Sequence, residues 1–485
     1  MKGEDIYDAV TNLSDGVVEE AKQQPLRRRR RRAWFGAIAA VLAVAMAAGY
    51  FLMPGSSPLS TNAYAISEAE YPETAQYPNE NDYFGGANGE FDSDAYSAAY
   101  DAWWEDMRAK PDASGYANGL EGYFTSSTAQ FLSGAGSENV AFSPLNVYMA
   151  LAMLAELTDG ESRAQILSLL SSDSIEALRQ QANDLWNASY VDDGATASIL
   201  ASSVWLNENV SFNQDTMDTL AQNYYASSYQ GAMGSAEFNK ALQDWLNEQT
   251  GGLLSEQIGG IEMRAQTILT LATTVYFRSM WSSEFNEAAN TQEVFHAPDG
   301  DVTVEFMHQS GMGNYYRGEN FSAVYRALRN SGSMWFILPD EGVSVDEVLA
   351  SDEYMQLMLN PWDWDEVSTP EINFSVPKFD VSSQIDLIGG LKSLGVTDVF
   401  DPSISDFTPM TTDVDEIYIS QALHGARVAI DEEGVTAAAY TVMIADAGAA
   451  MPDEEIDFTL DRPFIYAITT NDNLPLFTGV VNNPA

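Results

Sequence analysis

Cysteine is absent from the 485-residue chain, which excludes disulfide staples, thiolate nucleophiles and Cys-based zinc sites together. Histidine is nearly as scarce, with His296, His308 and His424 as the whole supply. The sequence has no G-x-S-x-G elbow, no H-E-x-x-H pair, no phosphate-binding loop and no spaced acidic calcium loop. No local pattern therefore points to a hydrolase, and neither a metal nor a cofactor is expected. Basic side chains are few as well: 22 Lys and Arg stand against 71 Asp and Glu, a net charge of −49. Eight of those basic residues fall within residues 1–32, so residues 33–485 carry 14 basic and 65 acidic side chains. Such a surface repels nucleic acid and anionic lipid and keeps copies apart, so no nucleic-acid partner and a monomer are expected.

What is present changes character along the chain. Residues 1–32 pair an amphipathic stretch with six consecutive arginines, Arg27 to Arg32. Residues 33–53 then hold no charge. As a helix at ~1.5 Å per residue this run spans roughly 31 Å, the thickness of bilayer hydrocarbon. Arginines before it and acids after it place residues 1–32 in the cytoplasm, with a single-pass helix and everything beyond it exported. Small residues Ala45, Ala47 and Gly49 near the end of the run also suit a cleaved signal peptide, which would make the protein secreted. Residues 54–115 are rich in Pro, Tyr, Asn and acids and read as an extended, self-repelling stalk. Within it AYSAAYDAWWEDMRAK has helical spacing and adjacent tryptophans that can dock on the domain. No internal repeat is evident.

Residues 116–485 alternate helical and strand patterns without a regular βαβ rhythm, which predicts one α+β domain. Helical spacing falls over 119–132, 144–157, 163–170, 174–186, 214–225 and 238–248. Strand patterns fall over 198–206, 267–277, 333–338, 371–377, 417–419, 427–430, 463–469 and 476–481.

The stretch 431–451, DEEGVTAAAYTVMIADAGAAM, suits neither a stable helix nor a core strand. Its residues Val435, Ala437, Ala439, Thr441, Met443 and Ala445 recur at a spacing of two, and all but Met443 are small or β-branched. That face can slide between two strands, while Tyr440 and Asp446 stay on the other. An exposed Ala-rich loop is the plainer alternative.

The surroundings of this stretch carry a resemblance. NVAFSPLN from Asn139 to Asn146, TVYFRSMW ending at Trp281, FILPDE, VPKFD, LKSLGV, IYISQALHGARVAIDEEG, DRPFIYAI and LPLFTGVV occur in order. Together they resemble the serpin family over about three quarters of the chain. The hinge of that family is similar to Glu432, Glu433, Gly434, Val435, Thr436, Ala437, Ala438, Ala439 and Thr441 here. Val435 departs by replacing a hydroxyl residue, and Tyr440 ends the alanine run early.

The resemblance implies a serpin fold whose main mixed sheet, surrounded by helices, can accept the reactive loop as an added strand. It implies a protease inhibitor, not an enzyme, whose partner is an extracellular serine or cysteine protease trapped in a covalent complex. It also implies a sheet-opening cluster of Ser143, Asn146, Thr273 and His424 with Trp281 near the top of the sheet, and a hinge latch between Glu432 and Lys378. Thr273 stands where the family often has Asn. Counting along the loop puts the scissile bond after Gly448, with Ala449, Ala450 and Met451 as further candidates. Small residues there suit an elastase-like or subtilisin-like target. The expectation is thus an exported, membrane-anchored, bacterial-type member. The alternatives are a non-inhibitory surface or binding protein on the same fold, and an anchored hydrolase.

Overall fold

The computed structural model describes residues 63–84, 91–435 and 454–485, all within one compact unit, Thr61–Ala485. Residues 33–53, the hinge residues Thr436, Ala437, Ala438, Ala439 and Thr441, and the candidates Gly448 to Met451 lie outside the described residues. Among the described residues no helix is long and apolar enough to cross a membrane.

Seven helices matter for the site: α1 (Ser93–Ala109), α2 (Ser114–Leu132), α3 (Pro144–Leu157), α4 (Gly160–Leu169), α5 (Ile175–Ser189), α6 (Gln214–Asn223) and α7 (Ala236–Gln249). Their starts are written in the sequence. Ser143, Ser174 and Ser235 each accept a backbone N–H from the first turn of α3, α5 and α7, and Pro144 occupies a position with no hydrogen bond to lose.

The strands begin with β1 (Ala65–Ser67), β2 (Val140–Phe142), β3 (Val191–Asp192), β4 (Ala197–Asn207), β5 (Ala226–Gly231) and β6 (Leu269–Met280). Next come β7 (Thr291–Ala297), β8 (Gly300–Met312), β9 (Tyr315–Arg317), β10 (Phe321–Leu328), β11 (Gly332–Pro339), β12 (Val367–Ser368) and β13 (Glu371–Pro377). The last are β14 (Phe379–Asp386), β15 (Leu423–Ile430), β16 (Gly434–Val435), β17 (Glu455–Thr459), β18 (Phe464–Thr469) and β19 (Pro475–Val481).

They form three sheets. The largest, with eight strands, runs β1-β5-β4-β6-β16-β15-β14, and β3 joins β4. A seven-stranded sheet runs β12-β9-β10-β11-β18-β19-β2, and a four-stranded one runs β17-β13-β8-β7. Strands β18 and β19 are buried along their whole length, which is why they read as unbroken apolar runs. The main core joins helices α2 to α6 to both large sheets. A second, smaller core packs α7 on the other face of β4 and β6, through Phe238, Leu242 and Trp245 against Ala201, Trp205 and Ala272.

Two expectations are corrected. The segment read as an extended stalk is, over 63–84 and 91–110, laid along the outer edge of the largest sheet. Here β1 pairs with β5, and Trp103 is buried while donating its indole N–H to Asp193 at 3.0 Å. The docking expected of the tryptophan-bearing helical stretch is met by Trp103, whereas composition hid the rings of Tyr64, Tyr71 and Tyr77. Residues 417–419 are coil rather than strand: Ile417 and Ile419 bury their side chains, and Ile419 donates its N–H to the Val399 carbonyl at 2.8 Å, with no ladder beside them among the described residues.

The turn from β10 to β11 depends on Gly332, whose φ is +108° and whose missing Cβ would lie 1.9 Å from the Thr469 carbonyl oxygen. Gly332→Ala is expected to cost about 3 kcal/mol or more. A melting midpoint equal to that of the parent would refute this account of the turn.

Candidate functional site

The site begins with a break in the largest sheet. Strand β6 pairs with β4 on one side, and β15 pairs with β14 on the other. Among the described residues no ladder joins β6 to β15 directly, and β16 alone stands between them. Its Val435 is level with Ser279 of β6 and with Ile430 of β15, antiparallel to both. Val435 is 1% exposed, so the position that departs from the family's hydroxyl residue is filled by a side chain suited to a dry site.

A tight turn delivers β16 into this slot. Asp431 accepts the backbone N–H groups of Glu433 at 2.9 Å and Gly434 at 3.1 Å through one carboxylate oxygen. Burial pushes the Asp431 carboxyl above its ordinary range despite those two bonds. Trp281, at the end of β6, donates its indole N–H to the Asp431 carbonyl at 2.8 Å and its backbone N–H to Glu433. Gly434 passes so close to β6 that a Cβ there would sit 2.2 Å from the Ser279 carbonyl oxygen.

Beside the turn, Lys378 Nζ lies 2.5 Å from Glu432 Oε1 and 3.1 Å from Glu305 Oε2. The Asn290 side-chain amide also donates to Glu432. Burial alone would raise the Glu432 carboxyl, but the bonds from Lys378 and Asn290 hold it below its ordinary value. Burial likewise opposes the charge on Lys378, and its two carboxylates outweigh that and raise it.

Under the middle of the slot lies a polar cluster. Ser143 Oγ donates to the Leu476 carbonyl at 2.6 Å and caps α3 by accepting from Asn146. The Ser143 backbone N–H donates to His424 Nε2 at 3.0 Å, which leaves the neutral ring's proton on Nδ1. Thr273 donates to Asn146 Oδ1 at 2.8 Å. His424 is 3% exposed, and burial lowers its pKa to about 4, so the ring stays neutral near pH 7. Asn146 Nδ2 is buried without a hydrogen-bond partner among the described residues.

Ser143, Asn146, Thr273 and His424 are thus brought together, and so are Glu432 and Lys378. Trp281, grouped with the first four on resemblance, stands apart at the hinge turn. The sequence reading missed Asn290, Glu305 and Asp431. Asp431 carried a usable signal, an Asp two and three residues before the N–H groups it accepts; Asn290 and Glu305 arrive through cross-strand register and had none.

A family model described as Serpin (serine protease inhibitor) matches residues 122–484. Serpin-ZX of Arabidopsis thaliana is 28% identical over 374 residues, covering 72% of this chain and 93% of that protein. The leukocyte elastase inhibitor of Sus scrofa is 29% identical over 360 residues, covering 71% and 93%. Among solved structures, the thermophilic serpin tengpin in its native state aligns with a TM-score of 0.69 at 26% identity, covering 76% of this chain and 94% of that one.

Burial of neutral His424 ties stability to pH. Its folded pKa of about 4 lies below the unfolded 6.5, so this contribution is complete above pH 6.5 and is lost as the pH falls toward 4. Between pH 6.5 and 5 the parent is expected to lose about 1–2 kcal/mol relative to His424→Gln, which can still accept from Ser143. Parallel denaturation curves for the two proteins across that range would refute it. Gly434→Ala is expected to expel β16 from β6, seen as loss of amide protection at Trp281 and Phe285, whose N–H groups donate to Glu433 and Glu432.

Proposed function

Because the chain belongs to the serpin family, we propose that it inhibits a serine or cysteine protease as a suicide substrate, with the slot between β6 and β15 as the receiving site for its own cleaved loop. The protease's nucleophile forms an ester with the carbonyl of the residue before the cut bond. The freed hinge then enters the slot as a new strand, drags the esterified protease with it and distorts its oxyanion hole, so that deacylation fails.

The observation that carries this reading is the position of β16, seated between the two strands at the very start of the loop. If both ladders continued in the register of Val435, Thr441 would stand level with Thr273 on one side and His424 on the other. Residues directly opposite share a face, so the Thr441 hydroxyl would meet the cluster that holds the unpartnered Asn146 amide. The same register would set Tyr440 opposite Gly425 on the other face, where the missing side chain of Gly425 leaves space beside the ring. Val435, already seated and buried, therefore does not oppose insertion.

Energy permits the step. From Thr436 to Ala445 ten further residues would enter, spanning roughly 33 Å of strand. About ten ladder hydrogen bonds at ~0.5–1.5 kcal/mol each give of order 5–15 kcal/mol, comparable with the whole stability of an ordinary domain. The latch resists with much less, since a partly exposed ion pair contributes ~1 kcal/mol.

The cut falls between Gly448 and Met451, and the small residues there favour an elastase-like or subtilisin-like protease. A relative named for inhibiting an elastase supports that preference. The protein acts outside the cell, held to the membrane by residues 33–53 with residues 1–32 inside. The supports are the length of that run and its flanking arginines.

Mixing the full-length chain with an elastase-like and a subtilisin-like protease is expected to give a covalent complex that survives a denaturing gel, with the cut mapped between Gly448 and Met451 by intact mass. Quantitative cutting without complex or any rise in thermal stability would transfer the protein to the non-inhibitory serpins. Val435→Arg is expected to turn the inhibitor into a cleaved substrate, because the charge cannot enter a site that is 1% exposed. Equal inhibition by that variant would sink the insertion mechanism. Thr441→Val should still insert, yet the cleaved form should lose about 1–2 kcal/mol, read from its melting curve.

A further inference from the structure

Helix α7 and the short segment after it cross the slot on the face opposite the polar cluster. Phe238, Leu242 and Trp245 pack on β4 and β6, while the Leu253 carbonyl accepts from Arg427 of β15 at 2.9 Å. This bar therefore touches strands on both sides, and parting β6 from β15 must loosen it at one end.

Its other end is tied to the N-terminal segment. The Tyr64 ring packs on Phe238 with centroids 4.9 Å apart. The Tyr64 carbonyl accepts from Gln230 of β5 at 2.7 Å, and Ser67 donates to Asp218 of α6 at 2.9 Å. Further along, Tyr71 packs on Trp186 and Tyr190, and Tyr77 donates its backbone N–H to Asp193 at 2.8 Å. Helix α1 closes the far end, where buried Trp103 donates to Asp193 Oδ2 and packs on Tyr77 at 5.1 Å. The other oxygen of Asp193 accepts the N–H groups of Ala195 and Thr196, and Thr196 donates to the Arg329 carbonyl that Ser279 also reaches. Ser279 is the residue of β6 level with Val435.

We propose that residues 63–84 and 91–110 form a brace that anchors α7 to the sheet's outer edge and so slows the parting of β6 from β15. The brace acts before cleavage, when an uncut loop that entered the slot would waste the inhibitor. This rests on the insertion mechanism proposed above. Releasing the Tyr64 ring removes one anchor of the bar without touching the hinge, the latch or the polar cluster.

The test compares the full-length parent with Tyr64→Ala, Trp103→Ala and Tyr64→Phe, which keeps the ring. Two quantities are read at 37 °C: amide exchange in α7, and the rate at which the uncut loop ceases to be cleavable by a subtilisin-like protease. Tyr64→Ala and Trp103→Ala are expected to accelerate both, the second roughly tenfold, and Tyr64→Phe to match the parent. Unchanged α7 exchange and an unchanged rate in an alanine variant that elutes and melts as a folded protein would overturn the brace. If cleavage of the parent gives no gain in stability, the insertion reading fails by itself. Exchange in α7 then still decides whether the brace exists, and an unchanged value in Tyr64→Ala rejects it.

Discussion

Backbone hydrogen bonding across the middle of the largest sheet is the constraint on which the rest of this molecule turns. A buried strand edge must pair its N–H and C=O groups or pay for their desolvation, and the facing edges of β6 and β15 share no ladder among the described residues. The two-residue strand β16 satisfies only the first positions. Each feature of the site makes sense as a provision for the remaining ones. The turn at Asp431 aims the chain into the slot, Gly434 lets it pass close to β6, and the polar cluster lies beneath the slot's centre.

The site also separates weak interactions from strong ones by their function. Lys378, Glu432, Asn290 and Glu305 form a partly exposed network that holds the turn yet costs little to break. The cluster around His424 and Asn146 is fully buried, where an unmet hydrogen bond is expensive and a met one locks the geometry. The first network can open at little cost, whereas the second is held by bonds that are expensive to leave unmade.

Much of the fold was legible in the sequence, for identifiable reasons. Helix α3 could be bounded to the residue because Ser143 and Pro144 mark its start and thirteen of its fourteen residues are buried. Strand β13 showed clean alternation and was equally readable. Strands β7, β8, β10 and β14 were not read, since β7, β8 and β14 expose polar or charged side chains and carry little apolar signal. Residues 417–419 gave a false strand, because apolar alternation reports burial and not the presence of a partner. The N-terminal segment was misread in the opposite sense. Its acids and prolines describe a solvated chain, but contacts come from Tyr64, Tyr71 and Tyr77, and only the docking of the helix that carries Trp103 was legible, from its spacing and adjacent tryptophans. Of the site, the hinge and the polar cluster came from motif resemblance, while Asn290 and Glu305 depend on register between distant strands.

The double register of Val435 has a consequence for how this sequence can vary over time. Because that residue is level with Ser279 on one side and Ile430 on the other, a chain that inserts as proposed would have every later side chain inverted across the sheet by the loss or gain of a single residue between Asp431 and Ala445. Chain length there is frozen, even where identity is free. Beyond Ala445 no such bookkeeping applies, so residues 446–453 can lengthen, shorten and change character. Under the proposed mechanism, the choice of protease and the insertion step would therefore be inherited as separate traits, divided at a single point in the chain.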